Sequence, residues 1–133
     1  YGNNARITFR SGEIYLIAAE AAAHVEGRLE LAKTRLKELM VNRLTPDYYA
    51  EKAAEIDGMN QNQFIEEIAN ERARELAIEG HRWFDLRRTT RPSMEKTYVL
   101  NGEEREITLT QDDIRYTISF PKEATEANPN LRN

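Results

Sequence analysis

The architecture of this chain depends most on one segment, Glu71-Arg72-Ala73-Arg74-Glu75-Leu76-Ala77-Ile78-Glu79-Gly80-His81-Arg82-Trp83-Phe84-Asp85-Leu86-Arg87-Arg88. It combines dense charge, the only tryptophan and an apolar repeat at helical spacing. At about 100° per residue, the repeat and the residues before it form one stripe of Phe64, Ile65, Ile68, Ala69, Leu76, Trp83 and Leu86. Arg72, Glu75 and Glu79 fall inside this stripe, whereas a solvated helix keeps its charges on the opposite face. These three charges are therefore either paired within a core or part of a site.

The composition is that of a globular domain. The chain has 133 residues, 40% of them hydrophobic and 32% charged, which predicts a single domain over 1–133. The net charge is −4 with both signs interspersed. This argues against a nucleic-acid partner, because such proteins carry a clustered basic patch. The absence of cysteine excludes disulfides and thiol chemistry.

Apolar periodicity predicts a helix near 12–26, whose repeat is Ile14, Ile17, Ala18, Ala21 and Val25. Leu16 and Ala23 lie on its other side, so we expect this helix to be covered on more than one face. A second helix is predicted near 29–43, with the repeat Leu29, Ala32, Leu36, Leu39 and Met40. The short connection makes the two helices antiparallel neighbours.

The region after the second helix predicts a short helix near 47–55 and then a long one near 61–87. Asn60 and Gln63 have the spacing of a capping box at the start of the long helix. Gly80 would ordinarily indicate a helix end. Because Trp83 remains in phase with the upstream stripe, we expect the helix to continue.

The last forty residues change character. Two β-prone runs flank Asn101-Gly102, which predicts a hairpin near 97–109. The alternating residues 115–120 predict a further strand, and the tail after them is expected to be irregular. The fold class that follows is mainly α, with antiparallel helix pairs, a small C-terminal β-hairpin and an irregular tail.

Four glutamates recur at every fourth residue, namely Glu67, Glu71, Glu75 and Glu79. Like charges repel at this spacing, so nearby cations must offset them, and candidates are Arg72, Arg74 and Arg82. One interpretation is a carboxylate pair for acid–base chemistry, as in glycosidases. The other, which we favour, is a buried ion-pair lattice that joins the long helix to the first two. Two carboxylates on one helix face are common, and no catalytic partner is evident elsewhere.

The sequence offers little for a metal or cofactor site, and we predict neither. The Glu-x-x-His pattern of di-iron bundles fails because Ile78 precedes His81 by three residues. His81 and Asp85 are one turn apart but lack a visible third ligand. No phosphate-binding glycine loop or nucleophile motif is present.

Aromatic side chains provide weak ligand-binding candidates. Tyr48 and Tyr49 lie in a loop-like region and can stack on sugar rings, with simple packing as an equal alternative. Trp83 is in phase with the apolar stripe and is predicted to be core. His24 is interpreted as a packing histidine in the first helix.

These residues resemble the C-terminal region of the SusD/RagB family, whose long motif is matched by Glu71-Arg72-x-x-Glu75-Leu76-Ala77-x-Glu79-Gly80-His81-Arg82-Trp83-Phe84-Asp85-Leu86-Arg87-Arg88. The family's upstream helix is resembled by Tyr15-Leu16-Ile17-Ala18-Ala19-Glu20-Ala21, and its closing segment by Asn128-Pro129-Asn130-Leu131-Arg132-Asn133. Order and spacing agree across nearly the whole chain.

The resemblance implies a non-enzymatic, nutrient-binding lipoprotein on the outer face of a Gram-negative outer membrane. Its helix pairs would be tetratricopeptide-like. It would bind an oligosaccharide or another nutrient and deliver it to a SusC-like TonB-dependent transporter in polysaccharide utilisation. A lipid anchor would hold the full-length parent at the cell surface.

The chain also departs from the family pattern. Members are several times longer and begin with a lipid-attachment cysteine, so we expect a C-terminal fragment of a longer protein. Arg132 stands where the closing segment usually has Gln. The family's glycan contacts come largely from upstream, so we transfer no ligand residue. The residues carried over are interpreted as structural, namely Glu20, Glu71, Arg72, Glu75, Glu79, Gly80, Arg82, Trp83, Asp85 and Arg87.

Two alternatives to the nutrient-binding function stay open. One is a helical protein–protein interaction module without a ligand site. The other, least favoured, is a hydrolase using Glu75 and Glu79.

Overall fold

A computed structural model describes residues 10–131 of the chain. Its elements are α1 (Ser11–Ala23), α2 (Leu29–Met40), α3 (Pro46–Gly58), α4 (Gln61–Glu75), α5 (His81–Arg88), β1 (Met94–Leu100), β2 (Glu103–Leu109) and α6 (Lys122–Ala127). The fold is mainly α with a C-terminal hairpin, which confirms the predicted class. Contacts divide the chain into two compact units with a boundary between Arg82 and Trp83. The single domain expected over residues 1–133 stays a prediction. Arg132, where the family's closing segment usually has Gln, lies outside the described residues.

The first unit is built on the packing of α1 against α2 and α4. Five residues connect α1 to α2, so the two helices run antiparallel. The buried core draws on four helices and includes Leu16, Ala19, Leu36, Met40, Ile56, Phe64 and Ile68. The small alanines of α1 allow the close approach of a neighbouring helix, because they place little volume between the two backbones.

The face of α1 that enters the core is not the one its repeat predicted. Leu16, Ala19 and Ala23 are buried, whereas Ile14 and Ile17 are exposed. Both faces of this helix are apolar, so periodicity alone cannot identify the buried one. Among the described residues, α1 therefore leaves the apolar face that carries Ile14 and Ile17 exposed, and we call this its outer face.

The long helix predicted at 61–87 is wrong, because the structure has two helices there. The capping box at Asn60 and Gln63 starts α4 as predicted, but α4 ends at Glu75 and α5 begins at His81. Ile78 and Gly80 between them have φ of 68° and 83°. A left-handed residue cannot continue a right-handed helix. The apolar stripe did not reveal this break. Leu76 before the break and Trp83 after it are seven residues apart, a spacing that would keep both on one face of an uninterrupted helix.

The second unit carries the hairpin, with β1 and β2 antiparallel and Tyr98 paired with Arg105. Asn101 and Gly102 have φ of 55° and 83°, which the two-residue turn of this hairpin requires. Tyr116 is buried, its ring stacks on Trp83 with centroids 5.1 Å apart, and its hydroxyl donates to the carbonyl oxygen of Pro92.

The strand predicted at 115–120 is also wrong. Ile114–Tyr116 forms a 3-10 turn whose first residues are capped by Asp113, because its carboxylate accepts from the backbone N–H of Arg115 at 2.9 Å. This local hydrogen bond satisfies a backbone donor that a strand would need for pairing. The tail predicted to be irregular contains α6 and a 3-10 turn at Pro129–Leu131.

Candidate functional site

Glu75 is the centre of an ionic network in the first unit, and its side chain is only 7% exposed. Arg43 binds it in a bidentate manner, donating from Nε to Oε2 and from Nη2 to Oε1, both at 2.9 Å. Arg10 donates from Nη2 to Oε1 at 2.9 Å and from Nη1 to the Glu75 carbonyl oxygen at 3.2 Å. Arg10 precedes α1 and Arg43 follows α2, so one carboxylate joins three helix ends.

This geometry keeps Glu75 ionised. The hydrogen bonds from Arg43 hold the pKa of Glu75 below its ordinary value of 4.5, although burial opposes them, and the charges of Arg43 and Arg10 add to the effect. The same pairing raises the pKa of Arg43. A general acid for glycoside hydrolysis needs a raised pKa, so Glu75 is poorly suited to that role.

A second ion cluster lies earlier on α4. Arg74 binds Glu71 through Nε at 2.8 Å and Glu67 through Nη2 at 2.7 Å. Lys52 of α3 approaches Glu67 at 3.1 Å. Burial by itself would lower the pKa of Lys52. The hydrogen bonds and charges of Glu55 and Glu67 outweigh burial and leave this pKa above its ordinary value, so the ammonium stays charged. The repulsion expected among these glutamates is therefore offset by cations on two helices.

The remaining motif residues of the first unit have separate positions. Arg72 is buried and lies 3.8 Å from Glu20 of α1, which places it within the core as the stripe predicted. Arg82 donates to the carbonyl oxygen of Ala69 at 3.3 Å. Glu79 contacts Arg10 but is 37% exposed. Its predicted burial is wrong, because the helix ends before it and the phase of the stripe no longer applies.

Other motif residues lie at the helix break or in the second unit. Gly80 supplies a left-handed backbone between α4 and α5. Trp83 is half-buried against Tyr116. Asp85 is buried and accepts from Nε and Nη2 of Arg88 at 3.0 and 2.9 Å. The carbonyl oxygen of Arg87 accepts from Nε of Arg91 at 3.1 Å.

Gly12 permits the close approach of α1 to the Glu75 carboxylate. A Cβ at this position would collide with Oε1 and lie 3.1 Å from Cδ of Glu75. Because the arginines hold that carboxylate, Gly12→Ala is expected to lower the free energy of unfolding by about 1–3 kcal/mol. Gly58→Ala is the matched control, since nothing lies within 4 Å of its added Cβ, and it should be neutral or slightly stabilising. Urea unfolding of both variants measures this, and an equal effect would contradict the steric argument.

A cleft with a volume of about 320 Å³ adjoins this network. Tyr48, Lys52, Arg43 and Arg74 line it together with the apolar Leu44. Tyr48 is the third residue of α3 and is 56% exposed, so the loop-like region predicted for the two tyrosines is wrong. Tyr49, the other candidate, packs against the core instead. The four-residue spacing of Tyr48 and Lys52 places both on one helix face, a signal that sequence reasoning missed.

Residues 10–131 contain neither a cluster of metal ligands nor a membrane-spanning helix. No group of three or more His, Asp or Glu side chains in this range is arranged to hold a metal ion. His81 lies 3.7 Å from Glu13. In the same range, no helix has both the length and the apolar character needed to cross a bilayer.

Comparison with protein families identifies the class of this chain. A sequence model of the SusD family matches residues 1–131. The chain therefore belongs to the SusD family, as its motif indicated. A comparison with curated proteins gives no match. Membership indicates nutrient and carbohydrate binding in polysaccharide utilisation, and proteins of this family are typically outer-membrane surface lipoproteins without catalytic activity.

Proposed function

We propose that the full-length protein is the glycan- or nutrient-binding component of an outer-membrane uptake complex. It captures its ligand at the cell surface and delivers it, chemically unchanged, to a SusC-like TonB-dependent transporter. A lipid anchor upstream of this chain holds it to the membrane. The observation that carries the proposal is the SusD family match over residues 1–131.

The ionic network supports a scaffold role for the motif in this chain. Glu75 ties the ends of α1, α2 and α4 together, and Arg72 links α4 to Glu20 of α1. Such a network fixes helix positions and leaves ligand chemistry to exposed side chains. A hydrolase is the least supported alternative, because Arg10 and Arg43 already occupy the Glu75 carboxylate as a structural ion pair.

Affinity electrophoresis of the full-length protein against a panel of polysaccharides tests the binding function. We expect retardation by at least one glycan and co-purification of the transporter from native membranes. Product release from a glycan, abolished by Glu75→Gln, would overturn the non-enzymatic assignment.

A protein–protein interaction module without its own ligand site is the second candidate. The exposed apolar residues Ile14 and Ile17 on the outer face of α1 favour it, because contiguous exposed apolar surface often marks a protein contact. Co-purification with the transporter, together with no retardation by any glycan or peptide, would favour this candidate over the first.

A further inference from the structure

We infer that the cleft beside Tyr48 is a subsite for an acidic saccharide, one whose ring carries a carboxylate or a sulfate. The inference rests on the proposed glycan-binding function and adds to it a place and a ligand class. It concerns the first unit alone. Three features of the cleft carry it: an aromatic platform, outward-facing cations and unused hydrogen-bond donors.

The platform is Tyr48. More than half of this side chain is accessible to solvent, and it stands at a concave site of about 320 Å³ rather than on a flat surface. Small-molecule sites span about 300–1,000 Å³, so the cleft suits a small unit such as a single sugar. The apolar face of a sugar ring can pack on an exposed aromatic ring, while apolar Leu44 adds to the wall.

The charges of the cleft are arranged with cations outward and carboxylates inward. Arg43 and Arg74 are 41% and 54% exposed at their side chains. The carboxylates that pair with them, Glu75 and Glu71, are 7% and 11% exposed. Solvent, and hence a ligand, therefore meets guanidinium groups beside Tyr48. This surface favours an anionic group although the whole chain has a net charge of −4.

Both arginines retain donors for a ligand. Arg43 uses Nε and Nη2 on Glu75, and Arg74 uses Nε and Nη2 on glutamates of α4. Within residues 10–131, Nη1 of each guanidinium donates no hydrogen bond. A guanidinium has five N–H donors. Because carboxylates already hold the two groups in place, binding an anion through Nη1 would order them at little further entropic cost.

The test is calorimetric titration of the full-length protein with two matched pairs of probes. One pair is tetragalacturonate and its methyl ester, and the other is a chondroitin sulfate tetrasaccharide and its unsulfated form. We expect at least one acidic probe to bind about tenfold or more tightly than its neutral counterpart, with an affinity that falls as salt rises. Equal binding of both members of each pair would overturn the ligand class.

Variants of Tyr48 test the location. Tyr48→Ala should weaken binding of the acidic probe about tenfold, whereas Tyr48→Phe keeps the ring and should bind like the wild type. Tyr98→Ala, at an exposed tyrosine of the hairpin, is the matched control and should have no effect. An equal thermal midpoint for Tyr48→Ala shows that the fold is intact.

The outcomes separate this inference from the proposed function. Unchanged affinity of Tyr48→Ala for the acidic probe would exclude the cleft as its binding site. Glycan binding would then occur elsewhere on the protein. Failure of the wild type to bind either acidic probe would overturn the inference, while retardation by a neutral polysaccharide would still support the proposed function. Failure of every glycan and peptide would count against both.

Discussion

Replacement of Glu75 by alanine is expected to lower the free energy of unfolding by about 2–4 kcal/mol. The change removes the shared acceptor of Arg10 and Arg43 from a largely buried position. Breaking a fully buried pair costs about 3–5 kcal/mol, and the partial exposure of both arginines reduces that value because water can solvate them. Urea unfolding at neutral pH measures the difference.

Glu79→Ala is the control for this variant, because Glu79 contacts the same Arg10 from an exposed position. Its expected effect is about 0–1 kcal/mol. Equal losses in the two variants would mean that burial of Glu75 contributes nothing, and the scaffold role of the network would then fail.

The Glu75 interaction also predicts a pH dependence. The pKa of Glu75 is lower in the folded protein than its ordinary value of 4.5, so the unfolded chain takes up the proton first as pH falls. The stabilisation is complete above the unfolded pKa and is lost as pH decreases through the folded one. The stability difference between wild type and Glu75→Gln should therefore shrink from pH 7 towards pH 3. A constant difference would contradict this linkage.

Tyr116→Ala is expected to destabilise the second unit by about 3–5 kcal/mol, since it deletes a fully buried aromatic ring and its stack on Trp83. Tyr116→Phe retains the ring and loses only the hydrogen bond to Pro92, for which we expect about 1 kcal/mol. Trp83 is the only tryptophan, so its fluorescence reports this unit during unfolding. Similar losses in both variants would assign the stability to the hydroxyl rather than to the ring.

The elements that sequence analysis located best are those with local signals. The capping box starts α4 where Asn60 predicted it, and the Asn101-Gly102 turn lies at the hairpin tip. The break between α4 and α5 was missed because Ile78, a β-branched residue, adopts a left-handed backbone that its type disfavours. Local propensity predicts the opposite at that position, and a local signal of the break, Gly80, was outweighed by the phase of Trp83.

The candidate site could be inferred only in part. The helical phase identified Glu75 as a charge within the apolar stripe, and its low exposure agrees with that. Its partner Arg43 lies 32 residues away in sequence, beyond the end of α2, where no periodic pattern connects the two. The cleft beside Tyr48 depends on the same tertiary contacts, so the residues that line it with Tyr48 were not foreseen.

The wide sequence separation of the Glu75 partners has a consequence for folding. Arg10 is 65 residues away and Arg43 is 32 residues away, so the chain must close two long loops before the carboxylate is neutralised. Until then, repulsion between Glu75 and Glu71, one turn earlier in the same helix, disfavours the last turn of α4. We expect this turn to become ordered late, after α1 and α2 have assembled, which makes helix assembly a precondition for forming the family motif rather than a result of it.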